Sequence, residues 1–219
     1  MTVAMIPPEK AREFLLTAER ELENRIRLEL STPKTLSYER AYLLGAAKRT
    51  LAMGHGFRAM EDSKNATVAA TLVRVHLDTL LRLYALWWVN DSEAFSRQVM
   101  GKGQINRMKD AKGVQMTDGY LYKRLAEIVP WIETVYQESS GFVHFSHRHM
   151  LATMDVRNDQ PGSFELSVAA LDTSREPTYY RQLAASFTDI TMRVSLAISE
   201  RLDLLETLPA PSQPLGSLG

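Results

Sequence analysis

Three of the five histidines in this chain fall within the segment Gly141-Phe-Val-His144-Phe-Ser-His147-Arg-His149-Met150. Histidine titrates near neutral pH and is the commonest metal ligand, so proton transfer and metal chemistry are the two reactions such a cluster suggests. His144 and His147 share a helical face, whereas His147 and His149 share a strand face. No regular element therefore points all three together. A metal-dependent hydrolase using His144, His147 and His149 would also need a carboxylate, for which Glu138 and Asp155 are nearest, and the His-Glu-x-x-His signature is missing. A metal-free reading uses His144 alone. Phe142, Val143 and Phe145 around it imply burial, which can shift its pKa and suit it to acid–base cleavage of RNA, with an arginine stabilising charge on the phosphate. The structural alternative has His144 hydrogen-bonding at a helix end, with His147, Arg148 and His149 complementing that helix's negative C-terminus.

The arginines such a reaction would recruit lie upstream. Over about residues 65–89, steps of 100° place Thr71, Arg74, Asp78 and Arg82 in one narrow wedge. Most of the remaining circumference is apolar, including Leu72, Val73, Leu77, Leu80, Leu81, Tyr84 and Trp88, so the helix belongs at the centre of a bundle. The wedge is then either a solvated ion-pair row or a cationic pocket, with Arg74 and Arg82 gripping an anion and Asp78 orienting them. His76, on the apolar face, reads as a neutral, hydrogen-bonded core residue. Further anion contacts are available from the basic segment 101–116 through Lys102 and Arg107, which otherwise reads as a mobile solvated connection. Its Gly-Lys-Gly lacks the spacing of a phosphate-binding P-loop.

The elements that must hold these residues are mainly helical. Helices are expected over about 9–30, 37–60, 65–89, 92–100 and 117–138 (kinked at Pro130), and from Thr178 to about Leu208. A short β-hairpin is expected over about 151–168, turning around Asn158–Gly162. The fold class is thus a mainly α bundle of five to six helices with a hairpin before a long C-terminal helix. Residues 1–208 read as one domain and 209–219 as a disordered tail. The last helix carries a near-heptad stripe of Leu183, Phe187, Ile190, Val194, Ala197, Leu204 and Leu208, broken by Arg201, which could line a bundle or a dimer seam.

Composition narrows the classes. Of 219 residues, 45% are hydrophobic, enough to build a core without metal or disulfide support. Lys+Arg and Asp+Glu balance at 26 each, so no global field favours nucleic acid or membrane, and an RNA partner would need a local patch. The absence of cysteine excludes disulfides, thiolate zinc sites and a cysteine nucleophile, which suits the cytoplasm. The N-terminus lacks a basic region followed by an apolar run, so no secretory signal is expected. The apolar stretch 68–89 carries Arg74, His76, Asp78 and Arg82, each costly in lipid, so no membrane partner is expected either.

Two blocks together carry a resemblance. The apolar helix with Arg74-Val-His-Leu-Asp78, followed about sixty residues later by Tyr136-Gln-Glu-Ser-Ser-Gly-Phe-Val-His144, resembles uncharacterised bacterial all-helical proteins related to the HEPN group. The resemblance covers roughly residues 65–150. It implies an all-α bundle, often dimeric, in toxin–antitoxin, phage-defence or RNA-processing settings, and active members are metal-independent ribonucleases. Those members carry an arginine four to six residues before a histidine. Here only Arg49-Thr-Leu-Ala-Met-Gly-His55 has that spacing, and it lies in an early helix. The expectation is therefore a non-catalytic HEPN-like binding or interaction protein, without cofactor, working as a homodimer or with a protein partner and open to an RNA or nucleotide ligand. The alternative is a metal-independent ribonuclease with His144, Arg74 and Asp78 as catalytic residues and Arg82, Lys102 and Arg107 binding the anion.

Overall fold

A computed structural model describes residues 6–32, 34–144, 146–156, 164–166, 168–172 and 175–208. The expected tail at 209–219 and the hairpin turn at Asn158–Gly162 lie outside the described residues, as does Phe145. Among those described, the architecture is mainly helical, with eight α-helices.

Pro8 opens a single 3-10 turn, Pro8–Lys10, that leads into α1 (Ala11–Ser31). Proline suits this place because its fixed φ already matches a helix start. α2 (Tyr38–Asp62) begins at Ser37, whose hydroxyl accepts from the Arg40 amide. The Glu93 carboxylate caps the same end, accepting the Tyr38 and Glu39 amides at 2.8 and 2.9 Å. An anion there also meets the positive end of the helix dipole. Gly54 and Gly56, poor helix formers, stay inside α2. At Gly54 a Cβ would lie 1.8 Å from Glu19 Oε1, so glycine makes room for a carboxylate that pairs with Arg58.

α3 (Ala66–Tyr84) is capped by Asn65, whose side chain accepts from the Val68 amide at 3.0 Å, and it ends in a 3-10 turn, Ala85–Trp87. Asp91 caps α4 (Ser92–Met100) and Thr117 caps α5 (Asp118–Ala126) in the same way. The single kinked helix expected over 117–138 is instead two, α5 and α6 (Trp131–Val143), with Pro130 at the N-cap of α6. Proline has no N–H to give the preceding turn and its ring collides with it, so it starts a new helix here rather than bending an old one. A short helix not expected from the sequence, α7 (His147–Ala152), holds two of the clustered histidines. β1 (Met154–Val156) pairs antiparallel with β2 (Phe164–Leu166), three residues each, with Asp155 opposite Glu165. α8 (Pro177–Thr207) completes the order.

α3 lies at the centre and packs against α2, α5, α6 and α8, while α1 lies along α8. Its Val73, Leu77, Leu80 and Leu81 are buried, as the continuous apolar circumference requires. On α8 the buried stripe runs through Phe187, Ile190, Val194 and Ala197, then drifts to Ile198 and Leu202, leaving Leu204 and Leu208 exposed. A straight helix turns every 3.6 residues, so a strict heptad slides off the contact face. Arg201, which interrupts the heptad, is no defect: its Nε pairs with the buried Glu39 and its guanidinium lies 5.4 Å from the Trp87 ring.

Segment 101–116, expected to be mobile, is pinned by Ile105, Met108, Asp110 and Met116, all buried. The Asp110 carboxylate accepts the Lys112 and Val114 amides at 2.9 Å each and the Tyr120 hydroxyl and Arg124 at 2.5 Å each. The Ala111 amide donates to Trp88 O at 2.7 Å. Among the described residues, no helix is long and apolar enough to cross a membrane.

Candidate functional site

The polar wedge of α3 is largely packed against protein: Arg74 lies inside the bundle, while Asp78 and Arg82 also border a groove. Thr71 Oγ1 donates to Phe142 O of α6 at 3.0 Å. Arg74, only 8% exposed, pairs with Asp78 and lies over the Tyr136 ring of α6 at 4.4 Å. Arg82 pairs with Asp78 at 3.2 Å and with Asp118 of α5 at 3.0 Å. The wedge thus braces α3 against α5 and α6, with Asp78 paired to Arg74 and Arg82 at i,i+4 spacing.

His144 does not join them. α6 ends at Val143, and His144 takes an extended conformation at its C-cap with its side chain exposed. Eight residues separate it from Tyr136, which along a helix is about 12 Å. The burial inferred from its aromatic neighbours is therefore absent: Phe142 turns back towards α3 while the chain leaves the helix one residue later. His147 is exposed on α7, and the Ser146 amide donates to His149 Nδ1 at 3.3 Å. Among the described residues no three His, Cys, Asp or Glu side chains are placed to hold a metal. Lys102 and Arg107 are exposed on the 101–116 loop.

His76 is fully buried, as its place on the apolar face implied. His55 is exposed on α2 and lies six residues beyond Arg49, or about 240° round the helix, so the pair does not converge.

Arg49 belongs instead to a groove of about 570 Å³ that single-helix reasoning missed. Ala41, Gly45 and Ala46 of α2 line it together with Asp78, Thr79 and Arg82 of α3 and with Val99, Met100 and Ile105. Arg49 Nε donates to Thr79 Oγ1 at 3.0 Å and has no carboxylate partner among the described residues. Tyr42 donates its hydroxyl to Arg82 O at 3.0 Å, and burial pushes its phenol well above the usual range despite the opposing charge of Arg82. It remains protonated there. The readable signal was the row Ala41, Gly45, Arg49, three positions four apart with two small side chains leading to a cation.

A second hollow of about 260 Å³ lies between α3, α6 and α8, lined by Ala70, Val73, Val135 and Phe142 together with polar residues that include Glu138, Ser139, Gln182 and Ser186. No protein-family model matches the chain, and no curated protein or solved structure is significantly similar to it.

Proposed function

We propose that the protein is a non-catalytic helical binding module of the HEPN-like kind, in a bacterial defence or toxin–antitoxin setting. The observation that carries this reading is the separation of the histidine from the arginines. Arg74 is closed onto Asp78 and Tyr136 inside the bundle, and His144 stands in solvent beyond the end of α6. A general acid–base must reach the proton it moves, within about 3 Å or through one water, while the charge stabiliser holds the same phosphate. Two groups about two helical turns apart do not share one phosphodiester. The resemblance of residues 65–150 to HEPN-related bundles supports the same reading, since many relatives of this kind lack the nuclease motif.

The test is cleavage of a mixed RNA pool in excess EDTA by wild type and His144→Ala, purified identically. Neither protein is expected to cleave above a protein-free control. Cleavage by wild type that disappears in His144→Ala would overturn the reading in favour of a metal-independent ribonuclease.

The reading includes self-association through the outer face of α8. Met192 and Leu196, one turn apart, are 42% and 49% exposed there. Light scattering is expected to return a dimer mass that Leu196→Glu reduces to a monomer. A monomeric wild type across the concentration range would remove this seam.

A further inference from the structure

We propose that the groove between α2, α3 and the end of α4 binds an amphiphilic anion, a carboxylate or phosphate monoester on an apolar body. This inference rests on the binding-module reading. Its failure would appear as absent binding in calorimetry, whereas that reading fails in the cleavage assay.

Charge selects the head group. Arg49, Arg74 and Arg82 face two carboxylates, Asp78 and Asp118, so the cluster keeps one positive charge. That charge sits on Arg49, whose Nε is satisfied by a neutral hydroxyl while its terminal N–H groups have no acid to meet. A planar guanidinium with free donors matches the oxygens of a carboxylate or phosphate. Arg82 lines the same groove, 35% exposed at its side chain, and can turn a second donor to the same anion.

The body of the ligand is selected by what the groove lacks. Tyr42 spends its hydroxyl proton on Arg82 O, Thr79 receives Arg49 and donates to Val75 O at 3.4 Å, and Asp78 accepts from both Arg74 and Arg82. No lining side chain keeps a donor–acceptor pair with which to read the edge of a nucleobase. Ala41, Ala46, Val99, Met100 and Ile105 present hydrocarbon instead. Methionine adapts its shape to an apolar chain better than a branched residue does. A volume of about 570 Å³ lies within the range of roughly 300–1,000 Å³ typical of small-molecule sites. Gly45 leaves room in this lining, because a Cβ there meets nothing within 4 Å.

Isothermal titration with sodium decanoate, decyl phosphate and AMP, each below its aggregation concentration, tests the site. Decanoate or decyl phosphate is expected to bind wild type, the better of the two identifying the head group, and AMP is not. Gly45→Leu puts a bulky side chain into the lining and is expected to weaken binding about tenfold or more. Its thermal midpoint should not fall, because leucine is a better helix former than glycine. Arg49→Gln, at an exposed position, is expected to weaken binding by a similar factor and decides the matter if Gly45→Leu proves unstable. Absence of binding by both amphiphiles, binding indifferent to both substitutions, or equal capture of AMP would each overturn the proposal.

Discussion

Asp110→Ala is expected to cost about 3–5 kcal/mol of stability, the scale of removing one partner from a buried charge pair. Its side chain has 0% exposure and satisfies four donors at once, the Lys112 and Val114 amides, the Tyr120 hydroxyl and Arg124. Burial alone would raise its pKa. The Tyr120 hydrogen bond, the two amides and the Arg124 charge outweigh that and hold the carboxyl below the usual range. The ionised form is therefore the one the loop is built around. Alanine strands two backbone amides and a guanidinium that lies 4.7 Å from the Trp88 ring. Asp110→Asn keeps one acceptor for the amides and loses only the charge, so a smaller loss is expected. Urea unfolding midpoints of the three proteins check the order, and an alanine variant within about 1 kcal/mol of wild type would show that the loop is not held by this carboxylate.

Nothing in the sequence marked Asp110 out. Segment 101–116 has no hydrophobic period, and its anchors Ile105, Met108 and Met116 are scattered among charged and glycine residues, so it read as a loose connection. A turn held by one carboxylate leaves no repeating signature. The α3 wedge was legible for the opposite reason: its four polar residues repeat at helical spacing within one element, and their relation survives folding. What α3 could not show was its neighbours. Tyr136 and Phe142 belong to α6 and Asp118 to α5, so whether the wedge met water or protein was a tertiary question. The groove around Arg49 draws on three helices and a loop, so the sequence shows only its α2 row, Ala41, Gly45 and Arg49. For His144 the sequence neighbours Phe142 and Val143 are a poor guide to burial, because α6 ends between them and the histidine.

The second large effect concerns acid. The Thr191 hydroxyl donates to Phe187 O at 2.9 Å, so at 3.0 Å its oxygen accepts from His76 Nε2–H, and the imidazole is neutral with a bare Nδ1. Its ring stacks on Phe187 at 4.5 Å, and Phe187 stacks on Phe57 at 4.3 Å. Burial, with the charge of Arg49 in support, pushes its pKa down to about 3. The unfolded chain takes up the proton near pH 6.5, whereas the folded protein refuses it until about pH 3. Between these values the unfolded state binds more protons, and the contribution of His76 to stability falls by about 1.4 kcal/mol for each unit of pH lost. Asp189 works the other way. Burial raises it to about 6, so its contribution grows as pH falls through that value towards the ordinary carboxylate range. The informative quantity is therefore the difference between wild type and His76→Leu, not the raw slope of either. Between pH 6.5 and 4.5 wild type should lose about 2 kcal/mol more than the variant, because the unfolded histidine is already half protonated at the upper pH. Parallel slopes in urea titrations at the two pH values would mean that His76 is protonated inside the fold.

The docking of α8 on helices that precede it has a consequence for synthesis. Phe57 and His76 emerge from the ribosome more than a hundred residues before Phe187, the ring that covers both. Until α8 follows, α2 and α3 can form their hairpin but must hold that apolar surface open to the cell. The nascent chain passes through an interval in which its most buried helix is its most adhesive one, and a chaperone that shields α3 during translation would act on the step at which this protein is most prone to aggregate.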